Sequence, residues 1–125
     1  MSLTIINETK AKLPIVDFKG IKNASLGAKY SLNLIFTTPS KIKKLNTIYR
    51  NKKSATDILS FPISENEGEI YICPSEAKKE AKKFHRTYDN FLKFLFIHGC
   101  VHLKGYDHGS TMENIEVELR EEFKV

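Results

Sequence analysis

Two hydrophobic periods divide this chain. Residues 29–37, KYSLNLIFT, alternate, with Tyr30, Leu32, Leu34 and Phe36 on one side, which predicts a half-buried strand. A short apolar run at 3–6 predicts an edge strand, and residues 55–62, ATDILSFP, predict another strand, ended by Pro62. Residues 65–68 read as a turn and 69–73, EIYIC, as the next strand, so the last two would pair as a hairpin with a longer loop. Elsewhere the spacing is helical. Ser40, after Pro39, is placed to cap a helix reaching about Asn51, with Ile42, Leu45, Ile48 and Tyr49 on its spacing. Pro74-Ser75 opens a Lys/Glu-rich helix to about Phe84, and a last helix from about Thr111 to Phe123 turns Met112, Ile115, Leu119 and Phe123 inward. Between them, residues 88–104 are apolar on most sides, which predicts a helix at the centre of the domain. Residues 7–28, interrupted by Pro14 and Gly20, predict no defined element. Strands mixed with helices, one pair of them a hairpin, indicate an α+β fold.

The 125 residues make one domain on length alone, spanning 1–125, and a hydrophobic fraction of 41% is enough for a core without staples. Only two cysteines, Cys73 and Cys100, are present and they follow no regular spacing. That argues against a disulfide scaffold and fits a reducing cytoplasm. The N-terminus has no basic start followed by a long apolar run, so no signal peptide is expected, and no apolar stretch is long enough to span a bilayer.

Charge adds a preference. Lys and Arg total 20 against 15 Asp and Glu, a net +5. The lysines gather at 41–44, 52–53 and 78–83, the acids at 113–122. Such asymmetry favours a polyanion on one face, although a lysine-rich solvated surface would look the same.

The sharpest chemical signal is three of the four histidines in one short stretch, His98-Gly-Cys-Val-His102-Leu-Lys-Gly105-Tyr-Asp-His108. His98 and His102 are one helical turn apart on one face. Gly105 can adopt a left-handed conformation, end the helix and let the chain bring His108 back. Three imidazoles with an open fourth position describe a catalytic zinc site better than a structural one. Cys100, two residues from His98, points to the other side of the helix and reads as a small core residue. Asp107 is a candidate acceptor for a ligating ring's second nitrogen. His85 is given no role.

The spacing H-x-x-x-H-x-x-G-x-x-H departs from the zinc-protease pattern H-E-x-x-H-x-x-G-x-x-H at one position. The missing residue is the Glu that serves as general base; here Gly99 has no side chain to take a proton. A metalloprotease is therefore the less favoured reading.

These histidines do not stand alone. Leu45-Asn46-x-x-Tyr49-Arg50-x-Lys52 is followed by Ala55-Thr-Asp57-Ile-Leu-Ser60-Phe61-Pro62, then by Gly68-Glu-Ile-Tyr-Ile72, the histidine stretch and Met112-Glu-Asn-Ile-Glu116. In that order the segments resemble the YbeY family of bacterial endoribonucleases and ribosomal RNA maturation factors, over roughly residues 29–123. The resemblance implies a four-stranded mixed sheet with helices on it and a zinc site in a cleft. It implies one Zn²⁺ per chain on His98, His102 and His108, and a functional arginine at Arg50. It implies cleavage of single-stranded RNA, maturation of the small-subunit rRNA 3′ end and ribosome quality control. The expected partners are RNA and the ribosome or its small subunit, with no membrane and no DNA. The sequence departs from the family in a short N-terminal region, in a short segment between His108 and Met112, and in Phe94 where many members carry His.

On that reading Arg50 would offer its planar fork to a phosphodiester. Ser60 would offer a hydroxyl, and Phe61 would stack on a base. The alternative of a different class is an RNA-binding ribosome assembly factor whose zinc is structural. The same histidines and lysines would serve it, so the sequence leaves the two open.

Overall fold

The computed structural model describes residues 2–105 and 109–125. Its elements run β1 (Leu3–Asn7), α1 (Phe18–Ser25), β2 (Ser31–Phe36), α2 (Pro39–Arg50), β3 (Ile58–Ser64), β4 (Glu67–Ile72), α3 (Pro74–Lys83), α4 (Tyr88–Leu103) and α5 (Ser110–Phe123). The strands form one mixed sheet in the order β1-β2-β4-β3. β1 and β4 lie parallel to β2, whereas β3 pairs antiparallel with β4. This is the expected α+β architecture, with four strands and five helices among the described residues.

The two inner strands carry the core. Leu32, Leu34 and Phe36 of β2 and Ile70 and Ile72 of β4 are buried on the face covered by α1 and α4. On the other face Leu59 and Cys73 meet Ile42 of α2. Alternation along β3 therefore sends Leu59 and Phe61 toward α2, and Ile58 and Ser60 toward α4. β1, at the opposite edge, leaves Ile5 and Ile6 exposed.

Several local expectations need correction. The cap of α2 is Thr38, whose Oγ1 accepts from the Lys41 amide; Pro39 then occupies the first turn, where its missing N–H costs nothing. Of the four apolar positions on the helical spacing, only Ile42 and Leu45 pack inward, while Ile48 and Tyr49 are exposed. β3 does not stop at Pro62 but continues to Ser64, with a register shift between the two. It is an edge strand, where a proline is tolerated because no neighbour needs its amide on the open side. The hairpin loop is also shorter than predicted: Ser64 pairs with Glu67 across Glu65-Asn66. Residues 18–25, which lacked a clear period, form α1, capped by Asp17 on the Gly20 amide at 2.9 Å. Lys22 interrupts the period: it is fully buried, its ammonium reaching the Ala28 carbonyl at 3.1 Å.

α4 is the central element. Thr87 caps it through the Asn90 amide, and Phe91, Leu92, Leu95, Phe96, Ile97, Cys100 and Val101 are buried around its circumference. It packs against α1, α3, α5 and the β3–β4 hairpin. No helix among the described residues is long and apolar enough to cross a membrane.

Candidate functional site

α4 delivers two histidines to the one side it does not bury. His98 and His102, a turn apart, line a cleft of about 190 Å³ together with Arg50, Ser60, Ile58 and Leu59. His102 is exposed and His98 half-buried. The helix ends where Gly105 takes φ +105°, its amide on the His102 carbonyl at 3.0 Å. The sequence expected Gly105 to end the helix in this way, and a positive φ is what a glycine accepts without strain. His108, the third expected ligand, and Asp107, the expected acceptor, lie outside the described residues.

Behind His98 stands a residue that the sequence left without a role. The Nδ1–H of His98 donates to Glu116 Oε1 of α5 at 2.8 Å. Glu116 is buried, one of few charged side chains so placed among the described residues. Its carboxylate fixes the tautomer and ring orientation, which makes Nε2 the nitrogen that would ligate a metal. The signal was in the spacing: Met112, Ile115, Glu116 and Leu119 share one helical stripe, so this glutamate occupies a core-facing position.

The approach of α4 to the sheet depends on Gly99. A Cβ there would lie 3.0 Å from Ile58 Cδ1 and 3.1 Å from both Ile70 Cδ1 and Ser60 Oγ. The glycine lets the helix press on β3 and β4, and so holds Ser60 beside the histidines. It also counts against the protease pattern: a glutamate at 99 would crowd Ile58, Ile70 and Ser60. Gly99→Glu, which restores that pattern, should lower stability by more than about 2 kcal/mol through overpacking and a buried carboxylate. Urea unfolding measures this, and an unchanged midpoint with new peptidase activity would refute it.

Arg50 comes from the last turn of α2. The loop after it is tied back by Asn46, a buried side chain whose Nδ2 donates to the Ser54 carbonyl at 3.0 Å, and by Thr47 Oγ1 on the Lys52 carbonyl at 3.2 Å. Asn51 ends the helix at φ 55°. These bonds hold the exposed guanidinium at the cleft, where it has no carboxylate partner among the described residues. The Asn46 role also went unread in the sequence, although Asn46 falls within the motif that carries Arg50.

Phe61 is not in this cleft. It lies on the α2 face, its ring 5.1 Å from Tyr49 and 5.8 Å from Tyr71 in edge-on contacts. Nor do all the lysines gather here: Lys41 is bonded to Glu8 at 2.8 Å, and Lys79 and Lys83 pair with Glu76 and Glu80 along α3. Cys100 sits in the core, where burial pushes its thiol up to about 12, and it is not among the residues that line the cleft. Cys73 is also buried. Asp57, at the mouth of β3, has its carboxyl raised above the ordinary range by desolvation.

The donor chemistry fits a metal. Two imidazoles share one helix face, one of them backed by a carboxylate, and imidazole suits zinc. Among the described residues no third His, Cys, Asp or Glu completes a ligand group.

The family described as Endoribonuclease YbeY matches residues 7–124. An Endoribonuclease YbeY of Thermosipho melanesiensis is 41% identical over 85 residues, covering 66% of this chain and 62% of its own. That of Nautilia profundicola is 42% identical over 95 residues, covering 73% and 67%. The chain thus spans a little under two thirds of the first relative's length. The solution structure of a Thermotoga maritima protein superposes with a TM-score of 0.69 at 29% identity, covering 97% of this chain and 88% of that one.

Proposed function

The chain belongs to the YbeY endoribonuclease family, and on that premise we propose that it is a zinc-dependent endoribonuclease that cuts single-stranded RNA. The observation that carries this reading is the convergence of Arg50, Ser60, His98 and His102 on one cleft, with Glu116 fixed behind His98. His98, His102 and His108 would hold the ion. Zinc on such a set acts as a Lewis acid toward phosphoryl oxygen and brings the pKa of water toward 7.

The chain's own residues account for the rest. Arg50 offers parallel N–H donors to the two non-bridging oxygens of a phosphodiester, and its fixed charge opposes the negative charge that builds there. Ser60 donates its hydroxyl to a phosphate or ribose oxygen. Glu116 keeps His98 oriented. A base beside Arg50 would stack on the exposed ring of Tyr49, with Phe61 packed against it as backing. The exposed Lys43, Lys44, Lys52 and Lys53 flank Arg50 in sequence and would draw the strand toward it by charge.

The biological substrate we propose is ribosomal RNA at the small-subunit 3′ end, in the cytoplasm, with a part in ribosome quality control. The test is direct. Purified protein should cut a single-stranded RNA oligomer, lose that activity to a chelator, regain it with zinc, and leave casein intact. RNA bound but never cut, with or without zinc, would favour the assembly-factor reading.

A further inference from the structure

His98 separates two cavities. One is the cleft just described; the other, about 390 Å³, is lined by Arg86, Phe94, Glu113, Glu116 and Arg120. Its basic side is built around one ring. The guanidinium carbons of Arg86 and Arg120 lie 4.7 and 5.3 Å from the Phe94 centroid, so the two cations are no farther apart than those distances laid end to end. Phe94 is itself held at ring spacings of 5.8 and 6.4 Å by Phe91 and Phe84. Among the described residues neither arginine is ion-paired, although two carboxylates line the same cavity. Arg86 donates one N–H to Asn90, and Glu116 is committed to His98. Two guanidinium groups held against one ring and lining one cavity bring planar N–H donors there for an anion.

We infer that this cavity receives a second phosphate of the RNA strand, adjacent to the one at the bond that is cut. The inference rests on the RNA-cleaving role proposed for the histidine cleft. The shared wall at His98 carries it: a strand whose scissile phosphate sits beside Arg50 passes over the imidazole and reaches Arg86 and Arg120 next. The ring, the aromatic stack beneath it and the Asn90 contact hold the two forks in place before substrate arrives, which limits the ordering cost of binding.

The experiment compares a dinucleoside monophosphate, which has only the scissile phosphate, with a trinucleoside diphosphate and a longer oligomer. In the wild-type protein kcat/KM should rise at least ten-fold from the first substrate to the second. In Arg86→Gln/Arg120→Gln that step should vanish, through KM rather than kcat, while the dinucleotide is handled as before. For the long oligomer the slope of log affinity against log salt should flatten by about 0.7, the value for one single-strand phosphate no longer neutralised. Arg86→Lys/Arg120→Lys, which keeps charge but not the fork, should hold the salt slope and recover only part of the KM. If the glutamine variant cuts all three substrates as the wild type does, the second phosphate site is wrong and the cleavage reading stands. If wild-type protein neither binds nor cuts any of them, both are wrong.

Discussion

His102→Ala should reduce RNA cleavage by about 10³-fold or more while leaving the protein folded. Lewis-acid stabilisation by a bound metal is worth several kcal/mol, and each 1.4 kcal/mol is a factor of ten in rate. Removing one of three ligands forfeits most of that. The fold should not notice: His102 is exposed at the last turn of α4, and surface substitutions of this kind change stability by about 0.5 kcal/mol or less. His85→Asn is the matched control, an exposed histidine at φ 55° where asparagine is tolerated, and it should cut RNA normally. Single-turnover cleavage with thermal unfolding on the same samples separates the cases. Wild-type rates in His102→Ala would remove the histidines from the chemistry.

Glu116→Ala should weaken metal binding by about 10- to 100-fold, the usual effect of losing the partner of a ligating histidine. The physical reason is the 2.8 Å bond to His98 Nδ1: without it the ring loses its preferred tautomer and rotates more freely. Glu116→Gln keeps an acceptor oxygen but no charge and should fall between. A competition titration against a chelating dye reads both. Equal affinity in Glu116→Ala and wild type would mean that this carboxylate serves packing between α4 and α5 and nothing more.

Much of this arrangement could be read from the chain. The alternation at 29–37 and the all-round apolarity of 88–104 became β2 and α4 because both are dictated by burial, which leaves a period in the sequence. The same logic hid α1. Its stripe contains Lys22, a charged residue that is buried with its ammonium on the Ala28 carbonyl and Asn23 Oδ1, partners that a hydrophobic period does not register. Pro62 misled for a related reason: a proline ends an inner strand but not an edge strand, and strand order is not written locally. At the site, the helical pair of histidines and the turn at Gly105 were legible because spacing alone sets them. The partner of His98 was not, since it reaches across from another helix. It was nevertheless discoverable as an acid on an apolar stripe. Phe61 neighbours Ser60 in sequence and therefore points the opposite way on β3, toward α2, a division of faces that the motif alone does not assign.

If His98, His102 and His108 hold one zinc ion in a cleft shared with Arg50, elemental analysis of the purified protein, wild type beside His98→Ala, is the most direct test. One equivalent of zinc per chain falling to near zero in the variant is the predicted result; equal metal content in the two proteins, or none in either after reconstitution, would contradict it.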